Sequence, residues 1–273
     1  MRSPFLNNRR RPRVMVVANG HPFERDAFMA MFGEFPDMEP FFVDHPIAQK
    51  VLNPSIVDDV EALVLMDMPG GDPTEGPGYE QAPSQAFKAG FQALLTTGIP
   101  IVALHHAIAG WTAWPEYAEF LGGKLLFYPN EVRGSRVLDS GYKQGVTYEM
   151  IAEKADHPIF AGVPSRFTIE DEVYLFEVFE DVIDPIARTS YATKAENYYS
   201  IARAMAGDRR SNERWAHPPG SSVIAWTKWA LRSPLVYLQP GHGPSVYGNR
   251  HYRRLLCNAI RWAIAKHGAG NDD

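Results

Sequence analysis

Cysteine occurs once in the 273 residues, at Cys257. That scarcity excludes a disulfide framework and a multi-cysteine metal site, and it suits a reducing compartment. Positive charge is not in excess either. With 27 Lys and Arg against 32 Asp and Glu, the net charge is -5, so there is no electrostatic footprint for nucleic acid. No apolar run approaches the roughly 20 residues of a membrane span. The basic N-terminus lacks the apolar stretch of a signal peptide. A cytoplasmic protein with neither nucleic-acid nor membrane partners is expected. The basic run Arg9, Arg10, Arg11 and Arg13 has no apolar partner pattern, and residues 1–12 read as a solvated, disordered tail.

What is present is a globular composition, 45% hydrophobic and 22% charged, able to bury a sizeable core. Short apolar runs closed by Gly, Pro or Asn mark buried strands. They fall at 13–18 (RVMVVA), 62–66 (ALVLM), 100–104 (PIVAL), 223–226 (VIAW) and 235–239 (LVYLQ). The first three are apolar on both faces, as parallel strands covered by helices should be. Helical spacing runs through 24–35, 84–97, 114–121 and 251–266.

This alternation predicts an α/β fold with a three-layer, doubly wound, mostly parallel sheet of flavodoxin-like type. One domain over 13–267 is expected, since no linker divides it. Patterning weakens between 128 and 174. Residues 191–222 are long and polar, and read as a loop insertion or an active-site loop. Gly70, Gly71, Gly76 and Gly78 do not form the G-x-G-x-x-G of a nucleotide-binding turn.

In open α/β sheets, ligands bind outside the carboxyl ends of the strands. The residues there are Asn19-Gly20-His21, 67–71, His105-His106 and Gly241-His242. Three of these four groups carry histidine, from a chain with nine. Their shared position is more informative than any one of them.

Three longer blocks carry a resemblance. They are IVALHHAIAGWTAWPEYAEFLGG at 101–123, HPIFAGVPSRFTIEDEVY at 157–174, and YLQPGHGPSVYGNRHYRRLLCNAIRWA at 237–263. A looser match covers NGHPFERDAF at 19–28. Together they resemble the ThuA-like family, trehalose-utilisation proteins built on a class I glutamine amidotransferase-like fold without the nucleophilic cysteine. The resemblance implies that His105 occupies the nucleophile-elbow position and that His242 stands where the histidine base would lie. Without a thiolate there is no acyl-enzyme route, so glutaminase activity is excluded. Cys257, mid-helix beside an apolar stripe, reads as a buried and inert thiol.

The candidate catalytic set is His105, His242 and Glu172. Neighbouring residues of an extended chain point to opposite faces, so His106 is expected to be structural as readily as functional. His242 lies in a P-G-H-G-P loop that lets backbone approach a ligand. His21 follows Asn-Gly and could reflect turn chemistry alone. Alternation places only one of Asp171 and Glu172 toward a pocket, and Glu172 is the one favoured; otherwise the pair is a solvated edge. His21, His106, Trp111, Tyr128 and Tyr174 complete the substrate-binding candidates, although helical aromatics are more often core.

His21, His105, His242 and Glu172 would suit a divalent metal such as zinc with an open position, but no H-x-x-x-H spacing supports one. The same groups would equally serve as a metal-free acid and base. The resemblance implies carbohydrate utilisation, on a trehalose-like or oxidised sugar, by an isomerase, lyase or hydrolase. The alternative is a non-catalytic module binding a sugar or a partner protein. A homodimer is the default assembly.

Overall fold

A computed structural model describes residues 11–269. The expected basic tail lies almost wholly outside the described residues. Ten strands form one sheet. In chain order these are β1 (Arg13–Ala18), β2 (Glu39–Asp44), β3 (Ala62–Leu65), β4 (Ile101–Leu104) and β5 (Gly141–Ala152). There follow β6 (Arg166–Leu175), β7 (Asp184–Thr189), β8 (Tyr199–Ser200), β9 (Val223–Ala230) and β10 (Ser233–Leu238).

The order β2-β1-β3-β4-β10 is parallel throughout. The apolar runs predict this doubly wound half except for its edge strand β2, which is only half-buried. From β10 outward the sheet continues antiparallel through β9, β7 and β5, with β6 pairing along β5. The antiparallel half falls where patterning was weak. Its long strands alternate in burial, β6 reading exposed and buried in turn before both faces close over its last five residues.

Four helices cover the sheet: α1 (Arg25–Gly33), α2 (Gln85–Thr97), α3 (Pro115–Leu121) and α4 (Arg250–Ala269). Side chains alternate across β1, so Val14 and Val16 enter one core while Met15 and Val17 enter the other. The first core packs Phe28 and Phe32 of α1 with Leu255, Leu256 and Ile260 of α4. The second packs Phe87, Phe91 and Leu94 of α2 against Leu63, Leu65 and Ile101. These two cores are the three-layer architecture.

Helix α2 starts where Ser84 accepts a hydrogen bond from the Phe87 N–H, and stops at Gly98 in a left-handed conformation. Segment 191–222 is not a bare loop. It contains β8, paired to β5, and a short helix at Ile201–Met205. Asp139 anchors it, accepting from Ser200 Oγ at 2.5 Å, Ala202 N at 3.0 Å and Trp215 Nε1 at 3.1 Å.

Candidate functional site

Strand β4 ends at Leu104, and the chain turns at once into a 3-10 helix over His105–Ala109. His105 takes φ +35°, a backbone conformation that costs a non-glycine residue energy and collects at functional turns. The turn overrides the alternation expected of His105 and His106. Their ring centroids lie 4.6 Å apart and both are buried, so the two neighbours serve one cluster.

Three elements bring the remaining groups to His105. The loop after β10 carries His242, and its approach depends on Gly241. There φ is +147°, and an added Cβ would meet the Tyr252 hydroxyl at 3.0 Å and His105 Cβ at 3.3 Å. Strand β6 carries Asp171, Glu172 and Tyr174. Asp171 clamps the loop: its Oδ2 accepts from Gly241 N at 2.7 Å and its Oδ1 from His242 N at 3.1 Å. Glu172 lies 3.2 Å from His105 Nε2 and 3.1 Å from His242 Nδ1. Both carboxylates are buried, so the solvated-edge reading is overturned. Each serves the cluster, Glu172 directly and Asp171 through the loop.

The hydrogen bonds fix the tautomer of His105. Its Nδ1 lies 2.6 Å from the Gln239 carbonyl oxygen. A carbonyl only accepts, so Nδ1 carries the proton and Nε2 presents a lone pair. Tyr174 donates its hydroxyl to that lone pair at 2.6 Å, and His242 Nδ1 lies 3.2 Å from it. A lone pair and a carboxylate facing one another need positive charge between them. The His242 proton supplies it here, and a cation would supply it equally well.

The pKa directions agree with this geometry. Burial alone would raise the Glu172 carboxyl, but its contacts with the imidazoles, the hydrogen bond from His242 above all, hold it well below the usual range. Burial alone would lower His242, and Glu172 outweighs it and raises the imidazole above 6.5. Burial holds His106 well below 6.5 and keeps it neutral. His106 Nε2 is buried and without a hydrogen-bond partner. One ligand atom each from His105, His106, Glu172 and His242 can be chosen so that all lie within 4.8 Å of one another.

A cavity of about 330 Å³ opens beside the cluster, bordered by His21, His106, Glu172 and Tyr174. His21 stands 4.3 Å from His106 between ring centroids. Its Nδ1 donates to Pro22 O at 2.8 Å; burial lowers its pKa. His21 is thus a neutral cavity-wall group outside the four-residue cluster. The far walls come from Leu125 and Phe127, from Tyr142 and Gln144 of β5, and from Ile201, Met205 and Arg209 of the 191–222 segment. Trp111 and Tyr128 do not border it. Trp111 is buried against Phe87 and His45, and Tyr128 donates its hydroxyl to Pro73 O at 2.8 Å. Both are corrected to packing residues. Cys257 is buried on α4, where burial raises its thiol.

The parts played by Asp171 and Gln239 were not anticipated, whereas the 201–209 wall lies in the segment read as an insertion or active-site loop. Gln239 acts through its main chain, which no side-chain pattern announces. Asp171 could have been found from its place beside Glu172, had a carboxylate binding backbone N–H groups been considered.

No curated protein matches the chain by sequence. Among solved structures it is similar to a ThuA-like protein of Parabacteroides merdae, at 15% identity and TM-score 0.65, covering 93% of this chain and 90% of that one. A ThuA-like protein of Bacteroides uniformis gives 14% identity and TM-score 0.60, covering 93% and 91%. A Salmonella typhimurium protein named as cytoplasmic, STM1381, gives 10% and 0.54, covering 92% and 99%. These identities speak for the fold alone. The family model for ThuA, described as trehalose utilisation, matches residues 13–263, a span that takes in every strand of the sheet and all residues of the cluster. The chain belongs to the ThuA family.

Proposed function

We propose that His105, His106, Glu172 and His242 hold a divalent cation such as zinc, in an enzyme of sugar utilisation. Its substrate would be a trehalose-like or oxidised sugar derivative, met in the cytoplasm. One observation carries the reading: four residues that each offer a ligand atom within 4.8 Å of the others, with His106 among them holding a buried ring nitrogen that has no partner. Three imidazoles and a carboxylate are a zinc-type donor set. The hydrogen bond from His105 Nδ1 to Gln239 O is the outer-shell support that orients a ligating imidazole.

A bound cation of this kind polarises a carbonyl or lowers the pKa of water. The chain's own groups supply the rest. The Tyr174 hydroxyl, 2.6 Å from His105 Nε2, would yield the lone pair there to the cation and keep its proton beside the site, Glu172 orients His242, and His21 offers a neutral nitrogen at the cavity wall. The family description, trehalose utilisation, supports a sugar as substrate.

Elemental analysis of the purified protein tests the reading. Near-stoichiometric divalent metal, lost in a His105→Ala/His242→Ala double variant that still folds, is the expected result. No metal in either sample would leave the second reading. In that case His242 and His105 move a proton beside a sugar carbonyl, as the closed hydrogen-bond set of Tyr174, His105, Glu172 and His242 favours.

A further inference from the structure

Among the residues bordering the cavity only Glu172 and Arg209 carry a formal charge at neutral pH. Glu172 is committed to the two imidazoles. Arg209 has no acidic partner among the described residues, although the chain as a whole is net negative. Its nearest acids in sequence are already engaged. Arg203 donates to Asp208 through Nε at 2.9 Å and contacts Glu213 at 3.3 Å. Arg214 also contacts Glu213, at 3.7 Å. The turn therefore presents an uncompensated guanidinium.

The turn is also fixed on both sides of Arg209. Arg203 Nε donates to Ser211 Oγ at 3.0 Å, and Ser200 N donates to Ser211 O at 3.0 Å. Arg210 adopts φ +61°, and its N–H reaches the Tyr142 hydroxyl at 3.4 Å. Strand β5 adds a neutral partner on the same wall. Its pairing with β6 shifts register between Lys143 and Val146, and Gly145 takes φ +65°, so Gln144 leaves the ladder and borders the cavity.

We propose that the ligand of this cavity carries an anionic substituent, a carboxylate or a phosphate, which Arg209 binds with Gln144 as its neutral neighbour. The planar guanidinium fork matches either group bidentately. Arg209 itself is exposed at the cavity rim, and Leu125, Phe127, Ile201 and Met205 give the same cavity apolar walls for the rest of the ligand. The substrate class becomes a sugar acid or sugar phosphate rather than a neutral disaccharide. This rests on the sugar-binding reading above but not on the cation.

Isothermal titration calorimetry on the protein as purified, at low ionic strength, tests it with D-glucuronate, D-glucose 6-phosphate and D-glucose. Wild type should bind at least one anionic sugar about tenfold or more tightly than glucose, the scale of one charged hydrogen bond. Arg209→Ala should abolish that preference, and Arg209→Lys should restore part of it. Which anionic sugar binds separates carboxylate from phosphate. His105→Ala should keep the preference while losing any metal.

A preference that survives Arg209→Ala but disappears in His105→Ala would place the anion on the cluster, overturning this proposal and sparing the cation reading. Equal binding of all three sugars, or none, also overturns it.

Discussion

Two imidazole–carboxylate pairs, each a part-buried histidine on a buried carboxylate, stand near the strand ends: His45 after β2 with Asp67 after β3, and His242 after β10 with Glu172 on β6. Their contacts are alike, 2.8 Å in the first and 3.1 Å in the second. Their surroundings differ. Trp111 lies edge-on to His45 at 6.0 Å, and among the described residues no third metal-ligating group joins that pair. Glu172 gathers His105 and His106 as well and borders a cavity. A histidine beside a carboxylate is thus a weak marker by itself. Convergence of further donors on an open space is what separates a site from a buried strut.

Substitutions can break this contrast. The largest effect on cation binding is expected from Glu172→Gln, which keeps the shape and removes the charge. Equilibrium dialysis should show a loss beyond the roughly ten- to hundredfold typical of removing an outer-shell partner. Unchanged binding would remove Glu172 from the ligand set.

Next comes pH. His242 is raised above 6.5, so its share of stability is complete below 6.5 and lost as pH climbs through its folded value. Glu172 is depressed, so its share is present above 4.5 and lost as pH falls through its folded value. A cation must displace the His242 proton. Its affinity should therefore rise with pH from below 6.5 until His242 has lost its proton, by at most tenfold per unit. A flat profile would mean that His242 does not ligate.

Asp171→Asn should act less strongly. It weakens two charge-assisted bonds to the loop of His242, lowering cation affinity about tenfold and stability by about 2 kcal/mol in urea titration. His45→Ala should leave cation content unchanged. It strands the buried Asp67 carboxylate and should cost about 3 kcal/mol of stability, measured in the same titration. Loss of cation with His45 would erase the distinction between the pairs.

Four of the five parallel strands were legible because they are short apolar runs closed by turn residues; β2 (EPFFVD), half-buried at the sheet edge, gives no such run. The ends of these strands place His21, His105 and His242 on one side of the sheet. In the antiparallel half only β9 was legible, from its apolar start at 223–226. Strands β5 and β6 alternate in burial and lack strong turn residues, so they read as irregular extended chain. The same gap hid the role of Asp171 and the way Glu172 is delivered. His106 was misjudged because strand geometry was extended one residue past Leu104, where the chain had already turned. Trp111 and Tyr128 were misread because sequence gives an aromatic ring no direction. Here one packs on Phe87 and the other bonds to Pro73.

The cluster draws His105 and His242 from the parallel half and Glu172 from the antiparallel half. The contacts that close it span 67 and 137 positions of chain. Such distant partners meet only after much loop entropy has been lost, which makes them late events in folding. A chain with either half unformed cannot present the full donor set. Whatever occupies the cluster therefore binds the finished fold alone, and its binding free energy adds directly to the cohesion between the two halves. Occupancy is then a readout of completed folding, and depletion of the ligand would loosen the seam between halves before either core.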